Sequence, residues 1–343
     1  MHASTLRRLL SVSLCCLVAP ALLRAQAPSA PVGEPIRYHM SDCHLHYVDF
    51  LQHTDGMKMV LAAMDAAGVD DTMICGMPLV KEWALSEHEQ PQYYLDDDAR
   101  CYWYSATDVL VARAIEKLAP EERKRFHPFI CGFNSADRNA VEHVKRMLEW
   151  YPDVWEGIGE IMTRHDDLTA LTYGDPAHAD APSLEPIYDL AGKLGIPISV
   201  HSDISSVWRR QPIYVSEVET ALKRHPQTKF IWCHAGISRR IVVPTIVDEL
   251  RRLLKENANV WIDLAWVVFD DYLVKEGKPS TAWIGLIEEF PDRFMIGSDK
   301  VGHFVDYPHE MQRYYGFLDA LKPETARKVG RDNFLRVVRR GAK

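Results

Sequence analysis

The sequence predicts one α/β domain of the (β/α)8 TIM-barrel class. Three observations lead there. Eight short apolar runs alternate with helix-like segments along 343 residues, and such alternation implies a parallel sheet with right-handed crossovers. The length and a hydrophobic content of 47% suit one large core. No glycine-rich turn follows an early run, as an open doubly wound sheet would normally show.

Taken in order, residues 1–27 read as a secretory signal peptide. Arg7 and Arg8 form a basic start, Leu9–Leu23 is an apolar run broken by Pro20, and Ala25-Gln26-Ala27 is a cleavage site. The run is short for a membrane span, so no stable membrane anchor is expected. The mature protein is expected to be exported, periplasmic or secreted, by the Sec or the twin-arginine route. Residues 28–36 are a proline-containing leader, and 37–343 form the barrel.

The eight strand-like runs are Tyr38–Cys43, Asp71–Met77, His127–Phe133, Val154–Ile161, Pro197–His201, Lys229–His234, Asn259–Ala265 and Arg293–Ser298. Between them lie the helical segments Met57–Ala67, Ala106–Leu118, Asn139–Tyr151, Ser183–Leu194, Ser216–Lys223, Pro244–Glu256 and Trp283–Phe290, with Pro323–Val338 closing the chain. Ala67-Gly68-Val69, Leu194-Gly195-Ile196-Pro197 and His225-Pro226 are helix stops placed just before strands. Two loops that follow strands are long. Lys81–Tyr104 is rich in acids and aromatics, including Tyr102 and Trp103, and Met162–Pro182 carries Arg164 and His165. On the carboxyl side of barrel strands, such loops hold substrate.

The formal charge of -8 becomes -11 once the three arginines of residues 1–27 are removed. That excess of acid disfavours nucleic acid as a partner and leaves a small molecule. A homo-oligomer is compatible with this composition. Cys43, Cys75, Cys101, Cys131 and Cys233 are an odd set without a Cys-x-x-Cys, and read as small buried hydrophobes.

The chemistry is expected where the runs end. The first leads into Asp42-Cys43-His44-Leu45-His46, and residues two apart on a strand share a face. Asp42, His44 and His46 are therefore expected to point together. The fourth run closes on Glu160, the fifth on His201, the sixth on His234 and the eighth on Asp299. A charged or imidazole group emerging from a buried strand needs a partner or a metal to offset desolvation. Strand ends of a barrel converge, so this series predicts a metal site. The remaining histidines, among them His127, His225 and His303, read as surface or loop residues.

The order Asp42-x-His44-x-His46, His201, His234-Ala235-Gly236 and Gly297-Ser298-Asp299 resembles the amidohydrolase superfamily. More narrowly, it is similar to the amidohydrolase-related group that includes aminocarboxymuconate semialdehyde decarboxylase and dicarboxylate lactonases. The resemblance spans nearly the whole mature chain, including the closing Asp332-Asn333-Phe334. It implies a divalent metal, zinc above all, held by His44, His46, His201 and Asp299. His234 matches the position that binds a second metal or acts as an electrostatic catalyst. Glu160 departs from the decarboxylase branch, and its Gly-x-Gly-Glu setting is similar to TatD-type metal-dependent DNases. A cation must lie beside Glu160, either a metal or Arg164 four residues on, and one ion is favoured over two.

The implied activity is hydrolysis of an ester, lactone or amide by water activated at the metal. Asp299 would carry the proton, and His234, Arg164 or His165 would stabilise the oxyanion. Arg164, His165, Tyr102 and Trp103 are expected to contact substrate. Asp263, ending the seventh run, could orient a histidine. The alternatives are a zinc-dependent non-oxidative decarboxylase with the same ligands, a TatD-type nuclease, and a metal-bound binding protein without catalysis.

Overall fold

The computed structural model describes residues 30–339. The signal peptide expected over 1–27 lies outside the described residues. Eight parallel strands form one sheet in chain order: β1 Met40–Asp42, β2 Val69–Ile74, β3 Phe126–Ile130, β4 Gly157–Met162, β5 Ile198–His201, β6 Phe230–Trp232, β7 Val260–Asp263 and β8 Phe294–Met295. The last strand returns to the first. Cys43 N–H donates to the Ile296 carbonyl at 3.0 Å, and Lys300–Val301 pairs in parallel with Leu45–His46. The sheet thus closes into a (β/α)8 barrel, as the alternation predicts.

Seven helices follow β1 to β7 in turn: α1 Met57–Ala67, α2 Thr107–Glu116, α3 Ala140–Trp150, α4 Glu185–Leu194, α5 Val215–Arg224, α6 Ile246–Glu256 and α7 Thr281–Glu289. Gly68 and Gly195 end α1 and α4 in the left-handed conformation, which costs glycine no Cβ clash. The closing segment runs through Pro323–Arg327, a π-helical turn Lys328–Asp332 and Asn333–Val338. Among the described residues, no helix is long and apolar enough to cross a membrane.

Two apolar clusters hold this together. The larger packs the outer strand faces against the helices through residues such as Ile158, Ile198, Leu250 and Leu286. Each such buried side chain contributes about 1.5–3 kcal/mol. The smaller fills the barrel with Cys43, Met73, Cys75, Phe129, Cys131, Ile231 and Met295, closed off by Phe334 and Leu335. The cysteines are buried and free, in the role read for them. Beside this plug the wall of β4 must be thin. A Cβ on Gly157 would lie 2.4 Å from the Phe129 ring, and one on Gly159 would lie 2.2 Å from the Ser199 carbonyl oxygen.

Candidate metal centre

Six polar side chains converge above that plug. His44 and His46 stand just beyond β1, Glu160 lies in β4 and His201 ends β5. His234 and Asp299 sit in turns after β6 and β8, with φ of +54° and +51°. Left-handed backbone in non-glycine residues is costly and gathers at functional sites. Trp266, after β7, adopts it too, at +59°. All three residues line one cavity of about 290 Å³ at the barrel mouth.

Glu160 occupies the middle of the cluster, and its two oxygens face different partners. Oε2 lies 3.4 Å from His44 Nε2 and 3.3 Å from His46 Nε2. Oε1 lies 3.0 Å from His201 Nδ1 and 3.6 Å from His234 Nε2. Asp299 spans the same two groups: Oδ1 is 3.5 Å from both His44 and His46 Nε2, and Oδ2 is 3.6 Å from His234 Nε2. The expected alternative partner of Glu160 is excluded, because Arg164 gives its guanidinium to Glu217 at 2.7 and 2.8 Å.

The outward nitrogens show which way the imidazoles present their lone pairs. His46 Nδ1 is 2.7 Å from the Gly76 carbonyl, which only accepts, so Nδ1 carries the proton. His44 Nδ1 donates to Asp263 Oδ2 at 2.8 Å, the orienting role expected of Asp263. In their neutral forms both residues would therefore turn an Nε2 lone pair inward, and those two atoms are 3.2 Å apart. Two lone pairs repel at that distance unless a cation lies between them. His201 Nε2 is held by Asp203 Oδ1 at 3.2 Å, leaving Nδ1 to face Glu160.

Electrostatics point the same way. Burial opposes charge on His44, yet Glu160 and Asp299 hold its pKa well above the ordinary imidazole value. His201, also opposed by burial, is pushed up to about 10 by Asp203 and Glu160. Burial raises the Glu160 pKa, but His44, His201 and His234 together hold it well below the usual carboxylate range. Two buried carboxylates thus draw positive charge onto the site, which protons or a divalent ion can supply, and metal binding releases those protons. The donor set of imidazole nitrogens and carboxylate oxygens fits such an ion.

Asp42 does not join this cluster, contrary to the shared-face expectation. Its oxygens accept the His44 and Ser298 N–H groups at 2.9 Å and the Ser298 and Tyr307 hydroxyls, tying β1 to β8. Burial lifts its pKa to about 6 despite those hydrogen bonds.

The substrate contacts expected from sequence divide. His165 lines the cavity and stacks on His201 at 4.2 Å. Its Nδ1 accepts the Asp167 and Leu168 N–H groups, so Nε2 carries the proton. Burial and His201 keep its pKa well below the ordinary value, so the ring is neutral. Arg164, Tyr102 and Trp103 are absent from the cavity lining. The Arg164 guanidinium also stacks over Tyr214, with its centre 3.8 Å from the ring centroid, and Tyr102 and Trp103 lie in an antiparallel hairpin with Leu79–Lys81. From the same long loop, Tyr93 and Tyr94 reach the cavity instead.

Other lining residues were not anticipated. Arg239 donates to the Tyr93 hydroxyl at 2.7 Å and sits over the Trp266 ring, and Trp266 packs 5.1 Å from His234. His303 also lines the cavity, bridging Asp49 and Asp55. His127 and His225 are buried rather than superficial, paired with Glu156 and Asp189. Only Asp203 had a local signal, as the second half of a His-x-Asp pair after β5.

Comparison with known proteins places this geometry. Several solved barrels are similar in fold. They include an uncharacterised TIM-barrel protein from Bordetella bronchiseptica, at 15% identity and TM-score 0.55 over 87% of this chain and 98% of that one. A dihydroxybenzoic acid decarboxylase from a Polaromonas species, with bound manganese, is 14% identical at TM-score 0.52, covering 87% and 96%. Dihydroorotase from Campylobacter jejuni is 18% identical at TM-score 0.51, covering 87% and 82%. No curated protein matches the chain. The amidohydrolase family model matches residues 41–340, from the strand that presents His44 and His46 through the helix that plugs the barrel, and the chain belongs to that family of metal-dependent enzymes.

Proposed function

We propose that the protein is an exported metal-dependent hydrolase of a small carbonyl substrate, built to hold two divalent ions, zinc by choice of donors. The observation that carries the ion count is the division of Glu160: one oxygen serves His44 and His46, the other serves His201 and His234. The single ion favoured from sequence is the alternative to this reading. Bound ions would supply Lewis acidity toward a carbonyl oxygen and toward water. The chain supplies the proton handling. Asp299 stays ionised because His44 and His234 outweigh the effect of burial. Its carboxylate, with 14% of the side chain exposed, can take a proton from attacking water and return it to the leaving group. His165, neutral and protonated on Nε2, is a hydrogen-bond donor for the substrate oxygen. Phe50, Tyr93, Tyr94 and Trp266 exclude bulk water from the walls.

A second reading has an observation of its own. Arg239 places a cation among Tyr93, Tyr94 and Trp266, a setting that suits a planar acid and hence non-oxidative decarboxylation. One experiment separates the two. The metal-loaded protein is offered esters, lactones, amides and aromatic acids in 18O-labelled water. Hydrolysis puts label into the product acid; release of CO2 without label in the product would reverse the assignment.

Export rests on Arg7, Arg8 and the Ala25-Gln26-Ala27 site. The intact mass of protein recovered from the periplasm or medium should correspond to a chain starting at Pro28. Retention of residues 1–27 would reject it.

A further inference from the structure

Two loops at the mouth end of the barrel hold large apolar side chains out in solvent. The first follows β2, and in it Trp83 is 54% exposed and Leu85 fully exposed. The second follows β5. Its Trp208 is 89% exposed, and Val207 and Ile213 of the same loop are exposed too. Tryptophan is normally among the more buried side chains, and grouped exposed apolar residues mark interaction surfaces.

Neither exposure comes from a slack chain. Trp83 Nε1 donates to the Glu87 carbonyl at 3.1 Å, and the Glu87 N–H donates to the Ala84 carbonyl at 3.0 Å. Residues 83–87 are thereby bent into a hook that carries Leu85. In the second loop Ser206 and Arg209 bridge antiparallel, and the buried Ser205 hydroxyl faces the Arg209 and Gln211 carbonyls. Val207 and Trp208 are the tip of that tight turn. Apolar groups fixed in place beforehand lose little freedom when they are covered.

The two loops carry opposite charge. Residues 82–98 contain six acids and no lysine or arginine. Residues 204–216 contain two arginines, Arg209 and Arg210, and no acid. The carboxylates of Glu87, Glu89 and Asp98 and both guanidinium groups belong to exposed residues, and none has an ion pair or hydrogen bond among the described residues. In the sheet, β3 and β4 separate β2 from β5, so the acidic hook and the basic turn rise from different parts of the rim.

A partner for this rim needs a basic aromatic turn to meet the hook and an acidic apolar hook to meet the turn. A second copy of the chain offers both. In a two-fold pair each contact occurs twice, so one match of charge serves the whole face. We propose that two copies of this chain pair through these loops, the 207–210 turn of each seated on the 83–89 hook of the other. Trp208 covers Trp83 and Leu85, and Arg209 and Arg210 face Glu87 and Glu89. Tryptophan and arginine are the side chains that most often dominate such interfaces. An anionic lipid surface fits less well, because it would repel the acids of the first loop. The same loop brings Tyr93 and Tyr94 to the metal cavity, so pairing would brace that wall.

The test is sedimentation of the full metal-loaded protein. The wild type is expected to be a dimer that weakens as salt is raised. Trp208→Ser should weaken it about tenfold or more. The double variant Arg209→Glu, Arg210→Glu sets acid against acid and should be monomeric. The double variant Glu87→Arg, Glu89→Arg sets base against base and should be monomeric as well. Mixed in equal amounts, the two double variants should form a dimer, because each hook then meets a turn of opposite sign. All the substituted positions are exposed, so metal content and circular dichroism should match the wild type. A dimer that neither double variant weakens would overturn the proposal, as would a mixture that stays monomeric. A monomeric wild type would overturn it too, and binding of that monomer to phosphatidylglycerol vesicles would assign the Trp208 turn to a lipid surface instead.

Discussion

Asp299→Asn is expected to abolish measurable turnover without unfolding the barrel. Asp299 touches both halves of the cluster, 3.5 Å from His44 and His46 Nε2 and 3.6 Å from His234 Nε2. Of the two carboxylates among the six converging side chains it is the more open to the cavity, with 14% of its side chain exposed against 2% for Glu160. Asparagine keeps the shape but can neither accept the proton nor balance the imidazoles. Loss of a general base costs about 10²–10⁴ in rate, and loss of a metal donor adds to that. The fold should survive because the backbone contact, Asp299 N–H to the His44 carbonyl at 2.8 Å, is unaffected. Asparagine also tolerates the φ of +51° better than most residues. The check is turnover measured alongside metal content and circular dichroism. Near-normal turnover in folded, metal-loaded variant would assign the proton transfer to another group.

Glu160→Gln is expected to lower the bound metal from two ions per chain to one at most, and to lose turnover with it. Glu160 is buried, and its charge is shared by four imidazoles, two from the segment beyond β1 and one each from the ends of β5 and β6. Glutamine is nearly isosteric, yet one of its two donor atoms becomes an N–H2 that repels a cation. The half-site facing that nitrogen should empty. Elemental analysis and anomalous scattering on wild type and variant read the count directly. One ion in the wild type would refute the two-ion reading; one ion in both would further show that Glu160 is not needed to hold it.

Much of this centre was legible along the chain. His201 closes an apolar run, as does His234, and a polar residue in such a place has no inexpensive location except a converging barrel mouth. The strand runs also matched the sheet, because a strand buried on both faces shows as a short continuous apolar run within a few residues. Glu160 was flagged by the glycines around it, and the Phe129 ring beside Gly157 gives the reason.

The loops were legible only as loops. Arg164 was placed at the site because it follows β4, but its chain direction turns it out to Glu217 and Tyr214. Tyr102 and Trp103 sit in a hairpin, while Tyr93 and Tyr94 from the same loop reach the cavity.

The sequence by itself therefore determined the barrel, the order of its elements and the five strand ends whose polar residues converge at its mouth, since each is encoded within a few neighbouring residues. Tertiary structure alone decided which oxygen of Glu160 faces which histidines, and that Arg239 and Trp266 wall the cavity. Those facts depend on side chains brought together from distant turns, and the relative placement of such turns is set by packing across the whole barrel rather than by any local period.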